Sequence, residues 1–344
     1  MSDTFRGGLP PLPRPELAGA GFRRDLPRWR QLVSADWLAA LLAGKPVAAA
    51  PEAGWTLFEV ACDGHAAYCA GHIHGAQYLD TRQFEQLPFW NKVPDAELLC
   101  VLQRAGMGPD TTVILYGRNL LAAARVAHLM LYAGVQDVRL LDGGMAAWRA
   151  AGHALHSPEP QSLPFGCGAD PGVAQLMQDG RTAHANPVWD APFPARADYL
   201  TDTAQARALL GRADSALLSI RTRAETQGET SGYRYITARG EIAGALWVQS
   251  GCDGDVNSMG SFQDAQGRMK PAAEIAALWR AGGIGPEMQI AFYCGTGWRA
   301  SLAFFYAWLM GWPRISVYDG GWFEWSSDPM NPVICRTPVP RSLV

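Results

Sequence analysis

The sequence predicts an α/β protein made of two copies of one domain, each a parallel sheet with helices on both faces. Three observations lead there. Continuous apolar strands alternate with helical patterns along the chain, as expected for strands covered on both faces. Two long segments repeat each other at a fixed offset of 177 residues. The chain of 344 residues is 48% hydrophobic and only 18% charged, enough apolar material for large cores and unlike a disordered chain.

The repeat is clearest in two strands, DTTVILYG (Asp110 to Gly117) and EMQIAFYC (Glu287 to Cys294), which carry Tyr116 and Tyr293 at matching positions. At the same offset Gly106, Gly108 and Pro109 fall on Gly283, Gly285 and Pro286. Gly134 falls on Gly311, Asp142-Gly143-Gly144 on Asp319-Gly320-Gly321, and Trp148 on Trp325. Upstream, GHIHGA (Gly71 to Ala76) matches GEIAGA (Gly240 to Ala245) at an offset of 169, so the copies differ in length in the middle. Copies of roughly 120 to 140 residues are ordinary domain sizes.

In the first copy Ser34 is placed to cap a helix that runs to Gly44. The strand WTLFEV, the strand AQYLD and a helix from about Pro94 to Gly106 follow, then TTVILY, a helix through Met130, DVRLL and a short helix near Trp148. The second copy repeats the order with the helix TDTAQARALLG, the strands ALLSIR and ALWV, and the helix PAAEIAALWRAG. It ends with MQIAFY, a helix after Arg299, and RISVY.

Five segments result: an N-terminal arm (1–30), the first copy (31–153), a linker (154–197), the second copy (198–330) and a C-terminal tail (331–344). The arm is rich in Pro, Gly and Arg and reads as flexible or draped. The linker holds Pro158, Pro160, Pro164, Pro171, Pro187, Pro192 and Pro194, which exclude a long helix and favour an extended strap. The second copy carries a long polar stretch, Gln249 to Met269, of the kind that is often functional.

A net charge of −3 gives no chain-wide phosphate-binding surface, so a nucleic-acid partner is not expected. The longest apolar stretch, Ser301 to Trp312, is too short to span a bilayer, so no membrane partner is expected either. The N-terminus lacks the apolar core of a secretory signal, and the cytoplasm is the expected location. Seven cysteines, an odd number with no C-x-x-C pair, argue against a disulfide framework and a zinc site. No metal, nucleotide or flavin cofactor is expected.

One cysteine stands apart. The strand MQIAFY runs into Cys294-Gly295-Thr296-Gly297-Trp298-Arg299, and an apolar helix follows. Open parallel sheets place ligands at this strand end. The glycines let backbone N–H groups turn inward as an anion nest, the helix start adds partial positive charge, and Arg299 adds a full one. A free thiol titrates near 8.5, and such surroundings lower it to about 7 or below. All seven histidines precede the second copy, so it contains no Cys–His dyad. Acyl transfer would need a base from the first copy, whereas sulfur transfer needs none.

The segments VILYG…DGGMAAW and AFYCGTGWRAS…YDGGWFEW, with GHIHGA and GEIAGA, resemble the tandem-domain rhodaneses, the thiosulfate and 3-mercaptopyruvate sulfurtransferases, over about residues 31 to 330. The loop is similar to that of a bacterial branch carrying CGTGWR. The resemblance implies that Cys294 takes sulfane sulfur from a small donor such as thiosulfate, 3-mercaptopyruvate or polysulfide. The persulfide then passes its outer sulfur to a thiophilic acceptor, with no cofactor beyond that covalent intermediate. Gly295, Thr296, Gly297 and Trp298 would bind the persulfide, and Arg299 would screen the thiolate or brace the loop. Trp298 would wall the pocket. Gly117 stands where the second copy has Cys294, so the first copy corresponds to the family's inactive N-terminal domain, with the active site between the domains.

In the mercaptopyruvate branch a loop hydroxyl works with a His and an Asp of the first domain. Thr296, His72 and Glu59 match these positions and would relay a proton to a leaving enolate. The family's substrate arginine follows a D-[SA]-R strand end. Here Ser219-Ile220-Arg221 ends the strand and Glu225 takes the substrate-arginine position, which leaves room for a larger or cationic acceptor or for a protein persulfide donor. Arg221 and Arg234 are candidates for an anionic donor, and Cys252 for a second thiol.

Three alternatives stay open. The first is a relay that takes persulfide from a partner protein for cofactor or metabolite thiolation. The second is a Cys–Arg loop phosphatase, although those loops place five residues between Cys and Arg where this one has four. The third is a non-catalytic binding module.

Overall fold

The computed structural model describes residues 21–52, 54–157, 187–189 and 192–335. Pro158, Pro160, Pro164 and Pro171 of the expected strap lie outside the described residues, as do Cys167 and the ends of the arm and the tail.

The first domain opens with β1 (Leu32–Val33) and α1 (Ala35–Leu42), where the Ser34 hydroxyl accepts the Trp37 N–H at 3.2 Å. β2 (Trp55–Ala61), α2 (His65–Ala70) and β3 (Gln77–Asp80) follow. A small hairpin, β4 (Glu85–Gln86) and β5 (Asn91–Lys92), comes next. Then come α3 (Asp95–Arg104), β6 (Thr112–Tyr116), α4 (Leu120–Ala133), β7 (Asp137–Leu141) and α5 (Gly144–Ala150).

The second domain has β8 (Leu200–Thr201), α6 (Thr203–Leu209), β9 (Ser215–Ser219), α7 (Arg223–Gln227), β10 (Glu241–Ile242) and β11 (Leu246–Trp247). After its long polar stretch come α8 (Ala272–Ala281), β12 (Gln289–Tyr293), α9 (Trp298–Leu309), β13 (Ile315–Tyr318), α10 (Gly321–Ser327) and β14 (Val333–Ile334). β14, in the segment expected to be a tail, pairs antiparallel with β10.

The main sheets run β3-β2-β6-β7-β1 and β11-β9-β12-β13-β8, every ladder parallel. The two orders coincide position for position, which is the repeat expressed in space. The expected α/β class, two parallel sheets with helices, is what forms.

The centre of the molecule is the packing of α4 on α9. α4 is buried from Leu121 through Ala133, and α9 from Arg299 through Leu309. A helix apolar all round has to be buried, and here each domain buries the other's. Leu129 and Met130 of α4 share one core with Leu302 and Phe304 of α9. α4 stops at Gly134, whose φ of 115° suits glycine and whose absent Cβ would lie 2.6 Å from the Ala195 methyl.

Each domain's entry segment lies over the other's central helix. The Arg28 N–H donates to the Leu309 carbonyl at 3.1 Å, and the Arg196 N–H donates to the Tyr132 carbonyl at 3.0 Å. Leu309 and Tyr132 are 177 residues apart, so the two clasps are copies of each other. Arg23 also bonds the Met269 and Lys270 carbonyls, and Asp25 accepts the Ala272 N–H at 2.8 Å. Residues 21–30 are therefore tied to the second domain. Among the described residues no helix is long and apolar enough to cross a membrane.

Candidate active site

Cys294 directly follows β12 and is 1% exposed. Gly297 caps α9 with φ 102°, a left-handed conformation that turns its N–H onto the Cys294 Sγ at 3.3 Å. Ser301 holds the Gly297 carbonyl from both its N–H (2.8 Å) and its hydroxyl (2.9 Å). The loop sits on the start of α10: Trp322 N–H donates to the Cys294 carbonyl at 2.8 Å, and Phe323 N–H to the Gly295 carbonyl at 3.1 Å. A Cβ at Gly321 would come within 2.7 Å of the Gly295 oxygen, which gives the repeated Asp-Gly-Gly its physical reason.

Arg299 is fully buried and faces Glu225. Its Nη1 and Nη2 donate to the two Glu225 oxygens at 2.8 Å each, and Nη2 also donates to the Tyr233 hydroxyl at 3.2 Å. Burial would depress the guanidinium, but Tyr233 and Glu225 outweigh it and hold the group charged. Burial would likewise raise the Glu225 carboxyl, yet Arg299 and Arg221 pull it down to about 2. Glu225 lines a hollow beside the cleft, but its two oxygens are taken by Arg299 and Arg221 rather than held free for substrate. It is 0% exposed, takes both of its strong donors from Arg299, and closes the capping box of α7 with Thr222. Arg221 is equally buried and pairs with Glu225 (3.4 Å) and Glu241 (3.7 Å), so it is not presented to an anionic donor. Arg221, Arg299, Glu225 and Glu241 sum to zero charge. The sulfur is left with the Gly297 N–H and the start of α9 as its nearest stabilising dipoles.

The two domains build one polar core from different positions. In the second, Tyr293 O–H and Ser219 O–H donate to Glu241 of the GEIAGA loop, and Arg221 donates to the Gly240 carbonyl at 2.6 Å. In the first, Tyr116 O–H donates at 2.8 Å to Glu59, which occupies the strand position of Ser219. Arg118 pairs with Glu59 at 2.8 Å and bonds the Gly71 carbonyl. Arg118 thus holds the place where the second domain has its catalytic loop.

This core accounts for Glu59, and His72 is also engaged within the first domain. Its Nδ1 lies 3.0 Å from the Tyr68 carbonyl and its ring stacks on Tyr68 at 4.0 Å. Burial, with His156, His74 and Arg118 nearby, lowers its pKa despite the Tyr68 bond. Neither residue bonds Thr296 or lines the cleft, so the expected three-residue relay is not assembled.

The cleft in front of the loop measures about 310 Å³. Thr296, Trp298 and Arg299 line it together with Tyr233, Tyr235, Val256 and Asn257 of the second domain. The first domain adds Cys62, Glu85, Trp90 and Leu121. Val256 and Asn257 come from the long polar stretch, while Cys252 of the same stretch is exposed and outside the cleft. Burial pushes the Tyr235 phenol up to about 12, with the Thr296 hydroxyl beside it pulling the other way. Beyond Tyr233 and Val256 a second hollow of about 290 Å³ is lined by Thr222, Thr230 and the exposed Arg234. Among the described residues Arg234 makes no ion pair.

Sequence reasoning missed Cys62, Glu85, Trp90 and Tyr235, together with Arg125 beneath them. Burial pushes Glu85 up to about 7, although Arg125 and the Trp298 indole both donate to it. Its only sequence signal was its place in a polar-aromatic run, EQLPFWNK, between predicted elements.

The Rhodanese-like domain family matches the chain twice, over residues 34–151 and 202–328. The chain is 48% identical over 310 residues to thiosulfate sulfurtransferase YnjE of Escherichia coli, covering 90% of this chain and 66% of that protein. It is 32% identical to a probable 3-mercaptopyruvate sulfurtransferase of Pseudomonas aeruginosa, covering 88% of this chain and 97% of that one. Solved structures of EanB superpose with a TM-score of 0.79 at 35% identity, covering 91% of this chain and 72% of that one; one holds ergothioneine with a cysteine persulfide in a tetrahedral intermediate state. Two matched domains that together fill most of the chain, with a cysteine loop in the second only, make it a tandem-domain member of the rhodanese family.

Proposed function

We propose that the protein is a sulfurtransferase acting through a Cys294 persulfide. The Cys294 thiolate attacks the sulfane sulfur of thiosulfate, 3-mercaptopyruvate or a polysulfide. The bond from that sulfur to the rest of the donor breaks, and its electron pair leaves with sulfite, the enolate of pyruvate or the shortened polysulfide. An acceptor, cyanide or a thiol, then attacks the outer sulfur, and the S–S electron pair returns to Cys294. The observation that carries this reading is the Cys294 sulfur at the strand end, with the Gly297 N–H directed at it and Thr296, Trp298 and Arg299 of its own loop lining a cleft. Arg299 acts as the brace of the loop through Glu225. Arg234, exposed in the neighbouring hollow, is assigned to attract anionic donors. The chemistry uses no cofactor beyond the persulfide, and the free thiols at Cys62, Cys69, Cys100, Cys252, Cys294 and Cys335 suit the cytoplasm.

A second reading concerns the acceptor. EanB structures include substitutions at a tyrosine 59 residues before the persulfide cysteine and, with hercynine bound, at a threonine two residues after it. The same steps from Cys294 lead to Tyr235 and Thr296, the pair that faces each other in the cleft. A cationic imidazole acceptor would suit a cleft walled by Trp90, Tyr233, Tyr235 and Trp298. A protein thiol or persulfide in place of a small partner is the remaining variant of the scheme.

The test is a two-substrate initial-rate study with thiosulfate and cyanide. A ping-pong carrier gives parallel double-reciprocal lines and loses all turnover in Cys294→Ala. Turnover that survives this substitution contradicts the proposal.

A further inference from the structure

The two tryptophans of the cleft come from different domains, and one buried ion pair holds both. The Trp298 indole N–H donates to both Glu85 oxygens, at 3.1 and 2.9 Å. Arg125 Nε donates to Glu85 Oε1 at 2.8 Å. The same guanidinium reaches the Trp90 carbonyl (3.4 Å) and Asp319 Oδ1 (2.5 Å) through Nη2. Trp90 has φ 63°, unusual for a bulky residue, so its place depends on such an anchor. Arg125 is 0% exposed and its Nη1 has no hydrogen-bond partner among the described residues. It lies 3.3 Å from where a Gly297 Cβ would stand, against the catalytic loop.

Among the described residues the backbone of the Cys294 loop is bonded from the second domain, by Gly297, Ser301, Trp322 and Phe323, and the Trp298 side chain is what reaches the first. Glu85 and Arg125 are not needed to make the sulfur reactive. What they fix is the wall that an approaching acceptor meets.

We propose that Glu85 and Arg125, in the domain lacking the catalytic cysteine, are positioning residues for acceptor selection: they fix Trp90 and Trp298 and so set which acceptors reach the outer sulfur. The proposal rests on the sulfurtransferase reading above. It gives the inactive domain a part in the second half-reaction and none in the first.

The test separates the half-reactions. Wild type, Glu85→Gln, Trp298→Phe and the double variant are loaded with thiosulfate, and persulfide formation is followed by intact mass. Discharge is then followed with cyanide and with a bulky thiol, glutathione. The expected result in Glu85→Gln is a KM for glutathione changed about tenfold more than either the loading rate or the cyanide discharge. Trp298→Phe should give a similar change, and the double variant should be no worse than either single one, because one residue acts through the other. Equal loss of loading and both discharges would mean a merely structural role and overturn the proposal, as would additive single effects or an unchanged KM. If Glu85→Gln does not fold, the selective change in Trp298→Phe, which leaves the ion pair in place, decides. Failure of wild type to load from thiosulfate or polysulfide would instead sink the underlying sulfurtransferase reading.

Discussion

The Lys92 N–H donates to the Asp319 carboxylate at 2.9 Å across the domain boundary. Exactly the repeat distance of 177 residues further on, the Met269 N–H donates to Asp142 at 2.8 Å, from the second domain to the first. The repeat is therefore an interface as well as a duplication: each copy gives its partner the same carboxylate and takes the same amide. One of these carboxylates, Asp319, also binds Arg125, while Asp142 makes no ion pair among the described residues and burial pushes it up to about 6 against the pull of Arg23 and Arg268.

This geometry predicts one cooperative unfolding transition for both domains. Arg125→Leu would leave Glu85 and Asp319 buried without their cation and cost about 3–5 kcal/mol. Denaturant unfolding followed by fluorescence and circular dichroism checks this. Two separate transitions, with only one moved by the substitution, would contradict it.

Acid should act through Glu225. Its folded pKa of about 2 lies below the ordinary 4.5, so the ionised form stabilises the fold above pH 4.5. That contribution is lost as pH falls through 4.5 toward 2. Glu225→Gln would leave Arg299 and Arg221 short of a buried carboxylate, cost about 3–5 kcal/mol at neutral pH and flatten the acid limb. Thermal denaturation of both proteins against pH measures it.

Glu85 should act with the opposite sign. It is raised from 4.5 to about 7 by burial, so the native state prefers its protonated form. The resulting stability is complete below 4.5 and is lost as pH rises through about 7, where the carboxylate paired with Arg125 takes over, a contribution of about 3 kcal/mol at most. Arg125, Trp298 and Asp319 face it, with Tyr235 and Cys62 in the cleft. Glu85→Gln should flatten that decline, and an unchanged slope would show that Glu85 stays ionised throughout.

Restoring a thiol to the first domain should not create a second active centre. A Cβ at Gly117 would stand 2.5 Å from the Asn119 carbonyl oxygen and 2.9 Å from that of Val60. Gly117→Cys should therefore lower stability and add no second persulfide, which melting temperature and intact mass would both register.

Much of this was legible in the sequence because it is contiguous or periodic. The sheets came from apolar runs, the duplication from a gapless offset, and the cysteine loop from six consecutive residues. What was not legible is assembled from distant segments. Glu85, Arg125, Asp319 and Trp298 meet only in the folded chain: Asp319 and Trp298 lie in motifs the sequence marks, but nothing local links them to Glu85 or Arg125. Glu225 looks free for substrate in the sequence because a sequence shows a charge but not its partner, Arg299. Glu59 and Glu241 fill one structural role from different elements, β2 in one copy and β10 in the other, which comparing the copies position by position conceals.

The most direct measurement is intact mass after incubation with thiosulfate, 3-mercaptopyruvate or a polysulfide, followed by cyanide. A Cys294 carrier gains one sulfur atom, loses it to cyanide, and gains none in Cys294→Ala. No gain from any of the three donors, or an equal gain in Cys294→Ala, would contradict persulfide transfer by Cys294.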